Sequence, residues 1–192
     1  MPLIAISKTG QRINILNYKY PKKELEKGSL FCQLCGSELM IRHGNIKIQH
    51  FAHQSVCTSD YVSHPETIEH LIAKHQISLQ IRNTWEEYSE STIELEYAID
   101  SLKRVLDIAM IFKTGWIVGH EIQLSSITTG ELDKRTSDYL DEGIDVIWWL
   151  GKNASTPANR EWCVRKYGAC YLLDYERLQS QAAAYRNRNL QF

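Results

Sequence analysis

The sequence has no long apolar run, no phosphate-loop signature and no excess of positive charge. None of its 192 residues belongs to an apolar stretch near the roughly 20 residues that a membrane-spanning helix needs, and residues 1–8 lack the basic head and apolar segment of a secretory signal. We therefore expect a cytoplasmic protein with no membrane partner. The pattern G-x-x-x-x-G-K-[ST] is also missing, which argues against a phosphate-loop nucleotide site.

The net charge of −1 is the sum of three unlike segments. Residues 1–60 carry 8 Lys and Arg against 4 Asp and Glu, residues 61–150 carry 7 against 16, and residues 151–192 carry 7 against 3. A polyanionic partner would therefore bind at the basic flanks, in a manner that salt weakens. The acidic middle segment is either solvated surface or contains carboxylates that together hold a cation.

The five cysteines do not suggest a disulfide framework, because their number is odd and no secretory signal accompanies them. Cys32 and Cys35 form a C-x-x-C-G turn that points two thiolates at one ion, and His50, His53 and Cys57 follow. Sulfur and imidazole in fourfold coordination are the ligands that zinc prefers. These five residues compete for four positions. His50 and His53 point to opposite faces of an extended segment, so one solution uses a single histidine together with Cys57.

The alternative for this segment is a reduced cysteine turn with buried histidines and no metal. A zinc ion here would be structural and would replace a core too small to fold unaided. Its loss is then expected to unfold residues 30–58 without directly removing any chemistry. We divide the chain into a small N-terminal zinc-knuckle domain at residues 1–60 and a second domain at residues 61–192.

Hydrophobic periodicity after residue 60 predicts the α/β order α-β-β-β-α-β. The predicted elements are, in chain order, a helix from about 64 to 82, strands at 93–97, 105–112 and 116–124, a helix ending at Gly143 and a strand at 144–150 that is buried on both faces. Residues 151–159 are predicted to form a loop. A strand near 170–173 and a terminal helix complete the chain.

Two carboxylates are predicted to face each other in the central strand pair. If Phe112 pairs with Trp116 across the turn between them, Asp107 lies opposite Glu121, with Cβ atoms about 5 Å apart on the same face. Like charges among apolar neighbours are costly unless a cation or a proton bridges them. Gln123 shares their face because a strand has a period of two. A divalent metal ion fits this arrangement, and the alternative is two acids on a solvated strand edge.

Polar residues also follow one stripe on each predicted helix. Glu66, His70 and Lys74, each four residues apart, lie beside the apolar face of the first helix. They would reach the two acids if that helix packs over the strand pair, and otherwise they form a surface salt-bridge face. Arg135 and Tyr139 have the same spacing on the second helix, where both could contact a phosphate. The alternative for Arg135 is an ordinary arginine on the helix surface.

Taken together, these residues resemble the competence protein CoiA-like family over roughly residues 1–150. The resemblance rests on the knuckle from Phe31 to Gly36, the pair His50 and His53, the stripe from Glu66 to Lys74, Asp107, Glu121 to Ser125, Arg135 with Tyr139, and Ile147 with Trp148. It implies a zinc-binding N-terminal segment joined to a nuclease domain of the PD-(D/E)xK superfamily. The restriction-endonuclease-like core of that superfamily has the same α-β-β-β-α-β order.

The resemblance also implies roles for these residues. Asp107 and Glu121 would be the metal-ligating acids, with the Ile122 carbonyl completing the inner ligands, and Glu66 would be the helical acid that binds directly or through water. Gln123 stands where the wider superfamily has a lysine. Glutamine can orient water but adds no positive charge, and Lys74 is the expected substitute. The catalytic set would be Glu66, Lys74, Asp107, Glu121 and Gln123, with His70, Arg135 and Tyr139 binding the substrate.

The implied activity is DNA cleavage that depends on Mg²⁺ or Mn²⁺ and leaves 5′-phosphate and 3′-hydroxyl ends. The setting would be competence and recombination, or a mobile element or defence system, with protein partners from those settings. The alternative is a non-catalytic DNA-binding or recombination-accessory protein on a degenerate nuclease fold. Gln123 in place of lysine favours that alternative, whereas retention of Glu66, Asp107 and Glu121 argues against it. The motifs predict no oligomeric state.

Overall fold

The N-terminal part of the chain folds into two small antiparallel sheets. The structure is a computed structural model that describes residues 2–43, 49–61, 66–84 and 86–186. The elements are β1 (Ile4–Ser7), β2 (Arg12–Asn14), a short helix α1 (Pro21–Glu24), β3 (Leu30–Phe31), β4 (Leu39–Arg42) and β5 (His50–His53). One sheet has the order β2-β1-β3 and the other pairs β4 with β5.

The rest of the described chain forms one five-stranded mixed sheet with helices. Its elements are α2 (Ile68–Thr84), β6 (Thr92–Ile99), β7 (Arg104–Ile111), β8 (Ile117–Gln123), α3 (Thr129–Asp141), β9 (Ile144–Leu150), α4 (Pro157–Tyr167), β10 (Tyr171–Leu172) and α5 (Tyr175–Arg186). From α2 to β9 the order is α-β-β-β-α-β, which confirms the prediction. The sheet order is β10-β9-β8-β7-β6; β6, β7 and β8 pair antiparallel, and β8, β9 and β10 pair parallel.

Two apolar cores lie on the two faces of this sheet. One contains residues of α2 and α5 together with Leu3, Ile4 and other N-terminal residues, so the N-terminal sheets share a core with the first helix. The other contains residues of α3, α4 and β9. Each core removes apolar side chains from water on one side of the sheet. The two parts of the chain are therefore packed together rather than joined only by a linker.

Several predicted boundaries differ from the structure. The first helix begins at Ile68 rather than near residue 64, because the Thr67 hydroxyl accepts a hydrogen bond from the His70 N–H at 3.2 Å and so caps the first turn. The predicted start near residue 64 lies among residues 62–65, outside the described part of the chain. The strand at 144–150 is not buried on both faces throughout, since Asp145 is exposed.

The predicted end of the loop at 151–159 is wrong, because helix α4 already begins at Pro157. The Thr156 hydroxyl caps this helix by accepting a hydrogen bond from the Asn159 N–H at 3.2 Å. A proline in the first turn after a capping threonine is a typical helix start. This helix covers one edge of the second core with Trp162 and Cys163.

Candidate active site and zinc site

The imidazole of His70 lies at the centre of a polar cluster between α2 and the ends of β7 and β8. Its Nδ1 is 3.1 Å from Glu66 Oε1, and its Nε2 is 3.1 Å from both Asp107 Oδ2 and the Ile122 carbonyl oxygen. One ligand atom each from Glu66, His70 and Asp107 lies within 4.8 Å of the others. These three side chains could hold one metal ion, and the Ile122 carbonyl faces the same point.

Asp107 reaches this cluster because β7 and β8 separate there. Their pairing runs from Ile111 and Ile117 to Ile108 and His120, which confirms the predicted register. Beyond that point the Asp107 carboxylate accepts a hydrogen bond from the Ile122 N–H at 2.9 Å. The side chain thus bonds directly to the neighbouring strand. The prediction that Asp107 and Glu121 use one face is wrong, because Asp107 contacts α2 and Glu121 contacts α3.

The electrostatics of the cluster favour a positive charge at its centre. Burial alone would lower the pKa of His70, but the carboxylates of Asp107 and Glu66 outweigh it and raise that pKa to about 10. Burial likewise opposes ionisation of Asp107, yet the charges of His70 and Lys74 lower its pKa to about 2. At neutral pH an imidazolium ion therefore lies between two carboxylates.

Lys74 lies deeper along the same helix stripe and is 1% exposed. Its ammonium donates to Glu96 Oε1 at 2.9 Å and also to Glu66. Burial alone would lower the pKa of Lys74, but the adjacent Glu96 and Glu66 carboxylates raise it above its usual range. Lys74 is therefore a protonated counter-ion between two acids, and it does not face solvent.

Glu121 lies on the other side of the strand pair, where α3 supplies its partners. Its Oε1 accepts hydrogen bonds from Arg135 Nη2 at 3.0 Å and from the Tyr139 hydroxyl. Burial raises the pKa of Glu121 to about 7, with Arg135 opposing the rise and the Asp107 charge adding to it. Glu121 is outside the three-residue cluster but close enough to respond to Asp107.

Arg135 joins the two polar side chains at the end of β8. Besides Glu121, it donates from Nη1 to Gln123 Oε1 at 3.3 Å, and its guanidinium carbon is 4.7 Å from the ring centroid of Trp148. The Gln123 amide nitrogen donates to the Ser125 carbonyl at 3.0 Å. Arg135 is thus held against the site, and the alternative of an ordinary surface arginine is wrong.

The N-terminal cysteines form a second cluster. Ligand atoms of Cys32, Cys35, His53 and Cys57 lie within 4.8 Å of one another, and His53 Nε2 is 3.3 Å from Cys35 Sγ. His50, the fifth predicted ligand, is not part of this group. Three sulfur atoms and one imidazole are a donor set that fits structural zinc.

The local fold explains how the cysteine turn is formed. Gly36 has a φ of +69°, a left-handed conformation that glycine adopts without strain, and its N–H donates to the Cys32 carbonyl at 2.9 Å. Burial alone would raise the pKa of Cys35, but hydrogen bonds from Ser37 and then His53 lower it to about 5. A stabilised thiolate is the form that binds metal.

Sequence reasoning missed Glu96. The alternation of residues 93–97 places Glu94 and Glu96 alike on a polar face, and no sequence signal separates them. In the structure Glu96 is 5% exposed and bonds to Lys74, so it belongs to the same charge network as the predicted residues.

None of the helices in the described part of the chain is both long and apolar enough to cross a membrane.

The fold and the polar cluster define a nuclease-like α/β domain preceded by a small cysteine- and histidine-containing domain. The family described as "Competence protein CoiA, nuclease-like domain" matches residues 66–192, and "Competence protein CoiA, N-terminal domain" matches residues 16–60. The chain belongs to the competence protein CoiA family, whose nuclease-like domain covers the α/β part of the chain.

Similar proteins include the competence protein CoiA of Bacillus subtilis (strain 168), which is 28% identical over 129 residues, covering 67% of this chain and 33% of that protein. The chain thus spans about a third of the length of this relative. A repair endonuclease structure from Pyrococcus abyssi has a TM-score of 0.31 and 19% identity over 58% of this chain and 47% of that chain. An EndoMS complex with double-stranded DNA has a TM-score of 0.35 and 14% identity over 72% and 65% of the two chains.

Proposed function

We propose that this chain is a divalent-metal-dependent nuclease that hydrolyses phosphodiester bonds in DNA. The observation that carries the proposal is the convergence of Glu66, His70, Asp107 and the Ile122 carbonyl on one point at which a positive charge is favoured. Membership of a family with a nuclease-like domain supports it. We place the activity in competence or recombination for the same reason.

The donor atoms fit Mg²⁺ or Mn²⁺. Carboxylate and carbonyl oxygens suit both hard cations, and an imidazole is compatible with transition metals. We assign Glu66, Asp107 and the Ile122 carbonyl as ligands, with His70 Nε2 binding once it has lost its proton and Glu121 close by. When bound, such an ion lowers the pKa of a water molecule and offsets charge on the phosphate oxygens.

The protein's own cations position these acids and the substrate. Arg135 is held by Glu121 and Gln123 and keeps a side chain that is 27% exposed, so it can contact a phosphate. It therefore supplies the positive charge that the superfamily lysine would supply. Lys74, previously expected in that role, is enclosed by Glu66 and Glu96. Tyr139 fixes the orientation of the Glu121 carboxylate.

We assign a structural zinc ion to Cys32, Cys35, His53 and Cys57. The four ligand atoms already converge, and a reduced thiolate set of this kind binds zinc without chemistry of its own. The ion would hold the end of β5 against the cysteine turn after β3. It would thereby stabilise the small sheets that pack on α2.

DNA cleavage by purified protein tests the nuclease proposal. Wild type is expected to cut in Mg²⁺ or Mn²⁺ and not in EDTA, whereas Asp107→Ala is expected to be inactive because a ligand is lost. Asp141→Ala is the control, since Asp141 is an exposed acid at the end of α3. Cutting of circular DNA would identify an endonuclease. An Asp107→Ala protein that cuts at the wild-type rate would contradict the proposal.

A non-catalytic DNA-binding protein is the second proposal, favoured by Gln123 in place of lysine. With zinc retained, such a protein would bind DNA equally well without added divalent metal and in Mg²⁺, and would cut it in neither. Binding measured by fluorescence anisotropy in both buffers separates the two proposals. A nuclease should also lose Mn²⁺ binding in Asp107→Ala, whereas the DNA affinity of a binding protein should not respond to this change.

A further inference from the structure

Glu96 lies in the middle of β6 with a φ of +52°, a left-handed conformation that is unfavourable for a residue other than glycine. The strand register is the same on both sides of it, because Leu95 pairs with Ile108 and Tyr97 pairs with Leu106, although the pairing skips Glu96 and Asp107 between them. The unusual backbone therefore does not come from an inserted residue. Such a conformation persists only where surrounding contacts hold it.

The N-terminal domain supplies one set of these contacts. The Glu96 carboxylate accepts hydrogen bonds from the backbone N–H groups of Leu3, at 2.9 and 3.0 Å, and of Ile4, at 3.2 Å. The Glu96 carbonyl accepts a hydrogen bond at 2.9 Å from the side-chain amide of Gln33, which lies between Cys32 and Cys35 of the cysteine turn. Both the side chain and the main chain of Glu96 are thus fixed by residues 1–60.

The active-site cluster supplies the other contact. Lys74 Nζ is 2.9 Å from Glu96 Oε1 and also donates to Glu66, so one buried ammonium ion is shared by two carboxylates. Glu96 draws part of that charge away from Glu66. Without the Glu96 charge, Lys74 would pair with Glu66 alone and would compete more strongly with a metal ion for the Glu66 carboxylate.

We propose that Glu96 is a positioning residue that acts through Lys74 on the Glu66 carboxylate, and that the N-terminal domain fixes Glu96 for this role. This inference rests on the proposed nuclease function. It implies that the backbone at the start of β1 and the cysteine turn form part of the support of the active site.

The chain offers a matched control on the same strand. Glu94, two residues earlier, forms an ion pair with Arg12 at 3.2 Å, so it also joins β6 to the N-terminal domain. Its described ion pair does not involve Lys74 or the cluster, but Arg12 also donates to the Glu96 carbonyl at 3.4 Å, a bond that Glu94→Gln leaves in place. If Glu96 only anchors one domain to the other, Glu94→Gln and Glu96→Gln should change metal binding and cleavage to the same extent. If Glu96 positions the Glu66 carboxylate, only Glu96→Gln should change them.

The test compares Mn²⁺ affinity, measured by calorimetry on zinc-loaded protein, with steady-state DNA cleavage. Glu96→Gln is expected to weaken Mn²⁺ binding and to lower kcat, each by about tenfold or more, with KM little changed, as is typical for residues that orient metal ligands. Glu94→Gln is expected to match wild type. Zinc content and circular dichroism check that both variants are folded.

Gln33→Ala provides a milder variant that keeps every charge of the network. It removes the hydrogen bond to the Glu96 carbonyl and the one that Gln33 Oε1 accepts from Arg12 Nη1 at 2.7 Å, and kcat is expected to fall by about fivefold, the equivalent of one hydrogen bond. If Glu96→Gln does not fold, the kcat of Gln33→Ala decides whether Glu96 has the positioning role. Equal effects of Glu94→Gln and Glu96→Gln, or a Gln33→Ala protein identical to wild type, would overturn the positioning role.

The two proposals fail in distinguishable ways. If wild type binds Mn²⁺ but cuts no DNA in any metal, the nuclease function is wrong and the affinity comparison still decides the role of Glu96. If wild type cuts DNA and Glu96→Gln cuts it equally well with unchanged Mn²⁺ affinity, the nuclease function stands and the positioning role is wrong.

Discussion

Replacing Lys74 with methionine is expected to destabilise the fold strongly. The side chain is 1% exposed and its ammonium is paired with Glu66 and Glu96. Methionine fills similar volume but leaves two carboxylates without their buried cation, and such a loss costs about 3–5 kcal/mol of unfolding free energy. For a chain of this size each kcal/mol shifts the melting temperature by about 2–4 °C. We therefore expect Tm to fall by about 10 °C or more.

The assay is thermal and urea unfolding at neutral pH without divalent metal, with zinc retained. Lys113→Met is the control, because Lys113 pairs with Glu90 at 2.8 Å while both side chains are largely exposed, and a surface pair contributes less than about 1 kcal/mol. The double variant Lys74→Met with Glu96→Gln should recover at least about 1 kcal/mol, since one unpaired charge is removed. A Lys74→Met protein that melts within about 2 °C of wild type would refute the reasoning.

Two further changes test the site and the cysteine cluster. Arg135→Lys should lower the cleavage rate by about tenfold or more without changing Mn²⁺ affinity, because lysine cannot bridge Glu121 and Gln123 as the planar guanidinium does. Single-turnover cleavage measures this rate. The control, Lys134→Gln on the outer surface of α3, should cut DNA at the wild-type rate. Cys57→Ser should lose its zinc, detected by metal analysis, and should melt at a lower temperature, because a structural ion contributes directly to folding; unchanged zinc content would contradict the ligand assignment.

The core order was predictable because periodicity follows burial. The strand at 105–112 and the helix ending at Gly143 bury one regular set of apolar residues, and such a set identifies an element without tertiary information. Helix α4 lacks this signal. Its buried positions include Asn159 beside Trp162 and Cys163, so a polar residue interrupts the apolar stripe. For this reason the sequence pattern places the first residues of α4 in the loop at 151–159.

The geometry of the acids was less predictable, because it depends on where two strands part. Register arithmetic from the turn was correct for the pairs that end at Ile108 and His120. It could not show that Asp107 would bond to the Ile122 N–H instead of facing Glu121. Glu96 was hidden for a related reason, since only the packing of residues 1–60 on β6 turns its side chain inward.

The same packing revises the role expected for the N-terminal domain. From the sequence, loss of zinc is expected to unfold residues 30–58 without directly removing any chemistry. Leu3 and Ile4 share a core with α2 and also donate to Glu96, while the cysteine turn holds the Glu96 carbonyl through Gln33. Disorder in this domain would therefore reach the support of the Glu66 carboxylate. Zinc loss should slow cleavage as well as lower stability.

The requirement for a cation, first inferred from two facing acids, is met in the structure by the protein itself. The buried or partly buried acids of the site each have a basic partner: Lys74 for Glu66 and Glu96, His70 for Glu66 and Asp107, and Arg135 for Glu121. A divalent ion must therefore compete with the His70 imidazolium for the Asp107 carboxylate and the Ile122 carbonyl. We expect competition of this kind to weaken the binding of a divalent ion to the free protein. A DNA phosphate adds negative charge beside the ion, so we expect metal and substrate to bind more tightly together than either binds alone.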